Sequence, residues 1–149
     1  AETIQGINQI KALFLNGINV DCVIKFINGA HSFDTYYWVM YFMAQTMNEE
    51  RIETMKSENV ATLKVIVSKM DQFTQETDEK ISIDFLNNVG ICYYYLKQNS
   101  KAKHIIERIQ RNVMCHPVTT QLQIRMLRSD TKYHYMDFEL ILSKIDPTQ

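Results

Sequence analysis

Two prolines and four glycines among 149 residues leave few places where the chain must turn sharply. That scarcity argues against a turn-rich β fold and for helices joined by short links. No run of eighteen apolar residues occurs, so no membrane-spanning helix is expected. There is no CxxC, HxxxH or HExxH spacing to hold a metal, no GxGxxG or P-loop to hold a nucleotide, and no GxSxG elbow. No catalytic residue and no cofactor is therefore expected. The three cysteines, Cys22, Cys92 and Cys115, cannot all pair. Each is expected in or beside an apolar helical face, which reads as a reduced, cytoplasmic protein, the alternative being one disulfide and a free thiol in a secreted one. The chain opens on Ala1 without a charged start and apolar stretch, so no signal peptide is read. It is taken as a mature form or a fragment of a longer protein.

What is present is ordinary globular composition, 46% apolar and 22% charged, at a length suited to one domain over 1–149. The net charge is only −1, yet seven basic residues face one acidic residue between positions 91 and 128. That basic block is the clearest electrostatic feature.

The apolar spacing predicts seven to nine helices, an all-α fold. Glu2 to Leu15 places Ile4, Ile7, Ile10, Leu13 and Phe14 on one face, and Asn16-Gly17 stops it. Val20 to Ile27 follows, with Asp21 and Lys25 paired outside. Asn28-Gly29 ends it; the flanks do not alternate, so no hairpin is read. Phe33 to Met47 starts with Asp34 as N-cap and holds nine successive apolar residues, Tyr36 to Ala44. Such a helix is expected to be central and buried. The other reading puts Trp38 and its tyrosine neighbours along a groove or an oligomer interface. Glu49 to Thr74 reads as one helix or two, divided at Ser57-Glu58-Asn59, and Gln75 to Lys80 as a loop. The acidic groups Glu49-Glu50-Glu53 and Asp78-Glu79 fit helix starts, where the dipole favours negative charge.

Ile81 to Pro117 is the most legible stretch. Its first helix, Ile83 to Leu96, is apolar nearly all round, and Gly90 inside it predicts close approach of a neighbour. Its second helix, capped by Ser100, has Ala102, Ile105, Ile106, Ile109 and Val113 on one face, and Pro117 bounds it. After Pro117, Thr119 to Leu127 and Thr131 to Ile145 read as helices, broken at Arg128-Ser129-Asp130.

Leu86-x-x-Val89-Gly90-x-x-Tyr93, followed by Ala102-x-x-x-Ile106, resembles the tetratricopeptide repeat pattern. The resemblance implies a TPR-like array of helical hairpins that binds proteins or peptides, with Gly90 and Ala102 where the two helices pack closest. Leu86 stands where that family prefers Trp, and no second copy follows. YYWVMYFMAQTMNEERIETM and LNNVGICYYYLKQNSKAKHIIERI are similar to the sensor half of Rgg-type peptide-pheromone regulators. That likeness implies a ligand-sensing or dimerisation domain, with any DNA-binding part lying N-terminal to Ala1. Asn88-Val89-Gly90 and its apolar run resemble the Asn-Trp-Gly motif of Bcl-2-like proteins. That likeness implies instead a compact bundle that sequesters a partner helix, although Val89 and Ile91 replace the Trp and Arg of the motif.

Lys101, Lys103, His104, Arg108 and Arg111 share one helix and Arg125 lies on the next, a basic surface suited to an acidic peptide or protein. Tyr37, Trp38 and Tyr94 are the candidate aromatic contacts. A second copy of the chain is an alternative partner. Nucleic acid is not expected, given the slightly negative total and the absence of a recognition motif. Burial is expected to blunt Cys92, and Cys115, beside His116 and near Arg111, is the better-placed thiol.

Overall fold

A computed structural model describes residues 4–29, 32–76, 82–111 and 117–129. Among these residues the chain is all helical, with eight helices and no strand. They are α1 (Ile4–Ala12), α2 (Val20–Asn28), α3 (Phe33–Thr46), α4 (Glu49–Thr54), α5 (Ser57–Glu76), α6 (Ile83–Tyr95), α7 (Asn99–Gln110) and α8 (Pro117–Ser129). The expected helix over Thr131–Ile145 lies outside the described residues, as do Val113, Cys115 and His116. None of the described helices is long and apolar enough to cross a membrane.

Side-chain caps set four of the helix starts. Asn19 accepts from the Cys22 amide, Ser32 from Thr35, Asn48 from Arg51 and Ser82 from Phe85. Each satisfies an amide that the first helical turn leaves unpaired. Ser32, not Asp34, therefore caps α3; Asp34 sits in the first turn, where its charge suits the helix dipole. The 49–74 stretch resolves into two helices, α4 and α5, the second beginning at Ser57. α5 runs on through Gln75 and Glu76, which the sequence reading had assigned to a loop.

The α6–α7 turn differs from expectation. Ser100 lies inside α7, and Gln98 precedes that helix without a side-chain cap bond. The turn is organised from the other side. Lys97 takes a left-handed conformation at φ 64°, Gln98 N–H donates to Tyr93 O at 2.9 Å, and Lys97 N–H donates to Tyr94 O at 3.0 Å. This is the Schellman arrangement, with a lysine where glycine is usual. Pro117 opens α8, a position where its missing N–H costs nothing. α8 then continues through Arg128 and Ser129, past the expected break.

α6 is the structural centre. α3, α5, α7 and α8 all pack against it, and Phe85, Val89, Cys92 and Tyr93 are essentially inaccessible. α1 packs on α3 and α2 on α5. The eight described helices pack compactly, which both expected arrangements, bundle and TPR-like array, share. Phe33 bridges three helices, with its ring 6.1 Å from Phe73 on α5 and 5.1 Å from Phe85 on α6. α8 is fastened by polar contacts: the buried Thr119 hydroxyl donates to the Asn87 carboxamide, and Gln110 donates to Gln123 at 2.8 Å. Gly90 is a point of close approach, as expected. A Cβ there would lie 3.2 Å from Ile105 Cγ2 and 3.5 Å from Leu122 Cδ2. The nearest neighbours are thus Ile105 on α7 and Leu122 on α8.

Candidate basic cleft between α5 and α7

α7 is amphipathic. Ala102, Ile105, Ile106 and Ile109 are buried, and the opposite side must face solvent or a ligand. Lys101, His104, Arg108 and Arg111 recur at intervals of three, four and three, which places them along one edge of the helix. α5 answers with Ser68, Asp71, Gln72 and Gln75, also at helical spacing, while Leu63, Ile66, Val67 and Met70 enter the core. The two edges border a cleft of about 480 Å³ with Tyr93 of α6 among its walls.

A network centred on Asp71 holds the cleft together. Tyr93 Oη donates to Asp71 Oδ2 at 2.8 Å, and Arg108 Nη1 donates to Asp71 Oδ1 at 3.1 Å. The same Arg108 nitrogen reaches Thr74 Oγ1 at 3.1 Å, and Gln75 Nε2 reaches Asp71 Oδ1 at 3.2 Å. The Arg108–Asp71 ion pair is mostly shielded, with 27% and 17% of the two side chains exposed. It is therefore screened less than a surface pair. Lys101 Nζ donates to Ser68 Oγ at 3.3 Å and lies 5.7 Å from the centroid of the Tyr93 ring, within cation–π range. Burial, then the hydrogen bond and charge of Asp71, push the Tyr93 phenol well up, against the weaker opposing influence of Ser68 and Arg108. At neutral pH Tyr93 is a proton donor that orients Asp71.

Arg108 thus belongs to the frame of the cleft. Lys101, His104 and Arg111 are exposed along its edge, with Glu107 on the same helix and Asp71 across on α5 as the acidic groups among the described lining. Lys103 is exposed on α7 but does not line the cleft. Arg125 falls on α8, with its side chain outside the described part.

The aromatic candidates are not brought to this cleft. Tyr37 and Trp38 lie half-buried on α3, packed against the core, 5.2 Å apart edge to face, and Trp38 continues to Tyr41 at 5.4 Å. Burial, followed by the nearby charge of Asp84 and by Tyr41, raises the Tyr37 phenol. Tyr94 stacks edge-on with Tyr95 at 5.1 Å and does not line the cleft. Cys92 is fully enclosed in α6, and burial drives its thiol far up. Cys22 is exposed on α2, beside the buried face of Val20, Val23 and Ile27. Among the described residues, no group of three His, Cys, Asp or Glu side chains is gathered as a metal ion would need.

Of the expected aromatic run Tyr93–Tyr95, Tyr93 lines the cleft. Asp71, Ser68, Gln72 and Gln75 are site residues that sequence reasoning did not select, although these four α5 residues carry a readable signal, a polar stripe at helical spacing. No protein-family model matches the chain, and neither a curated protein nor a solved structure is significantly similar to it.

Proposed function

We propose that this chain is a helical interaction domain whose α5–α7 cleft receives an acidic peptide or protein segment. The observation that carries the reading is the single edge formed by Lys101, His104 and Arg111, facing the neutral donors and acceptors Ser68, Gln72 and Gln75. Lys101 and Arg111 are ten residues apart, a span of about 15 Å along a helix. An extended peptide covers that span in four to five residues at roughly 3.3 Å each. Two carboxylates at that separation reach both cations, and the carboxamides of Gln72 and Gln75 offer partners to the peptide groups between them. Arg108 is held by Asp71 and Thr74, so its charge is offset and it frames the edge.

The test reverses the two outer charges and leaves the frame intact. The variant Lys101→Glu/Arg111→Glu is titrated, beside the wild type, with a capped peptide carrying two glutamates four residues apart. The expected result is loss of binding by the variant at unchanged thermal stability. Equal affinity in both proteins contradicts the proposal.

A further inference from the structure

The opposite side of α6 carries a second cleft, of about 440 Å³, between α3, α6 and α8. Asn88, Ile91 and Tyr95 line it from α6 at helical spacing. At 100° per residue they lie roughly 140–160° around that helix from Tyr93, which serves the first cleft. Gln45 from the end of α3 and Gln121 from α8 bring two more carboxamides to the rim. Met47 and Leu122, both nearly inaccessible, close the floor beside Ile91. Among the described residues no charged side chain lines the space.

We infer that this second cleft binds a short, uncharged, extended peptide segment bearing one apolar side chain. Each carboxamide of Asn88, Gln45 and Gln121 offers both a donor and an acceptor, the same pair that a peptide group presents. A helical partner has already satisfied its backbone groups internally and gains nothing from such a rim, whereas an extended segment leaves them free. The floor of Met47, Ile91 and Leu122 takes one apolar side chain of the segment. The neutral lining selects against the acidic segment of the first cleft, because a carboxylate here would be desolvated with no cation to meet it. The inference stands independently of the first cleft, since the two share no lining residue.

The experiment uses the whole chain and a set of acetylated, amidated pentapeptides built from Ser, Thr, Gln and Gly around a central Leu or Ile. Binding is followed by calorimetry in the wild type, in Asn88→Ala/Gln121→Ala and in Lys101→Glu/Arg111→Glu. The expected result is binding that weakens about tenfold or more in the first variant, equivalent to at least about 1.4 kcal/mol. Binding is expected to be unchanged in the second variant and indifferent to salt. A version of the bound peptide with N-methylated backbone amides is expected not to bind. The inference is overturned if no pentapeptide binds, if the Asn88/Gln121 variant binds as well as the wild type, or if the N-methylated peptide binds equally. The last result would mean that the cleft takes only the apolar side chain.

Discussion

The Tyr93 hydroxyl donates to Asp71 Oδ2 at 2.8 Å, joining α6 to α5 across twenty-two residues of chain. The same carboxylate receives Arg108 from α7, so one side chain fastens three helices. Tyr93→Phe is expected to lower stability by about 1 kcal/mol, the usual worth of one hydrogen bond. Asp71→Ala also leaves Arg108 without its carboxylate, and is expected to cost roughly 2–4 kcal/mol. Because both changes act on one network, the double variant is expected to cost less than the two singles added together. Urea unfolding of the four proteins measures this, and strict additivity would mean that Asp71 does not couple the two helices.

Gly90 gives a second test of how the bundle closes. Its missing Cβ lets α7 and α8 approach α6 together, through Ile105 and Leu122. Gly90→Leu forces both away and is expected to destabilise by about 1–3 kcal/mol despite the better helix propensity of Leu. The urea midpoint should fall with little change in slope. An unchanged midpoint would show that the approach is not close in solution.

Lys97 offers the reverse effect. Its φ of 64° is left-handed, a conformation that costs most residues with a Cβ about 1–2 kcal/mol. Lys97→Gly removes that strain but frees the unfolded chain, so a net gain of roughly 0.5–1 kcal/mol is expected. A rise in thermal midpoint checks it, and a fall would mean that Lys97 makes contacts worth more than its strain.

These residues also mark where the sequence could be read and where it could not. The helical class, the central position of Ile83–Leu96 and the close approach at Gly90 follow from local pattern: apolar residues on every side of one helix and a glycine inside it. The α7 edge followed from spacing as well. Asp71 did not, because an acid at one position of a long polar stripe gains meaning only when a tyrosine and an arginine from other helices arrive beside it. Lys97 resisted for a related reason. Nothing local distinguishes a lysine forced left-handed by the helix ends it joins from one that merely adds charge. Tyr37 and Trp38 read correctly as members of an aromatic helix, but which side of α3 they occupied depended on where α1 and α6 packed.

Stability should depend on pH through two buried groups. Cys92 and Tyr93 both have raised proton affinities in the fold, Cys92 by burial alone and Tyr93 chiefly by burial. Unfolded, a thiol releases its proton near pH 8.5 and a phenol near 10, as rough reference values. The folded chain holds these protons longer, so their contribution is complete below those values and is lost as pH rises. Each group is expected to lower stability by about 1.4 kcal/mol per pH unit once its unfolded form ionises. Urea midpoints under reducing conditions should be flat through neutrality, fall above about pH 8.5 and steepen above about 10. Cys92→Ala should flatten the first part and Tyr93→Phe reduce the second. A flat profile across the whole range contradicts this account of the buried groups.

The acidic-segment cleft is tested most directly by nuclear magnetic resonance. Amide shifts of the wild-type chain are followed as a capped peptide with two glutamates four residues apart is added, then repeated with glutamine in place of each glutamate. The predicted result is a set of shifts confined to Ser68, Gln72 and Gln75 on α5 and to Lys101, His104 and Arg111 on α7, absent with the glutamine peptide. Shifts confined to the Tyr37–Phe42 side of α3, or the same shifts with both peptides, would contradict it.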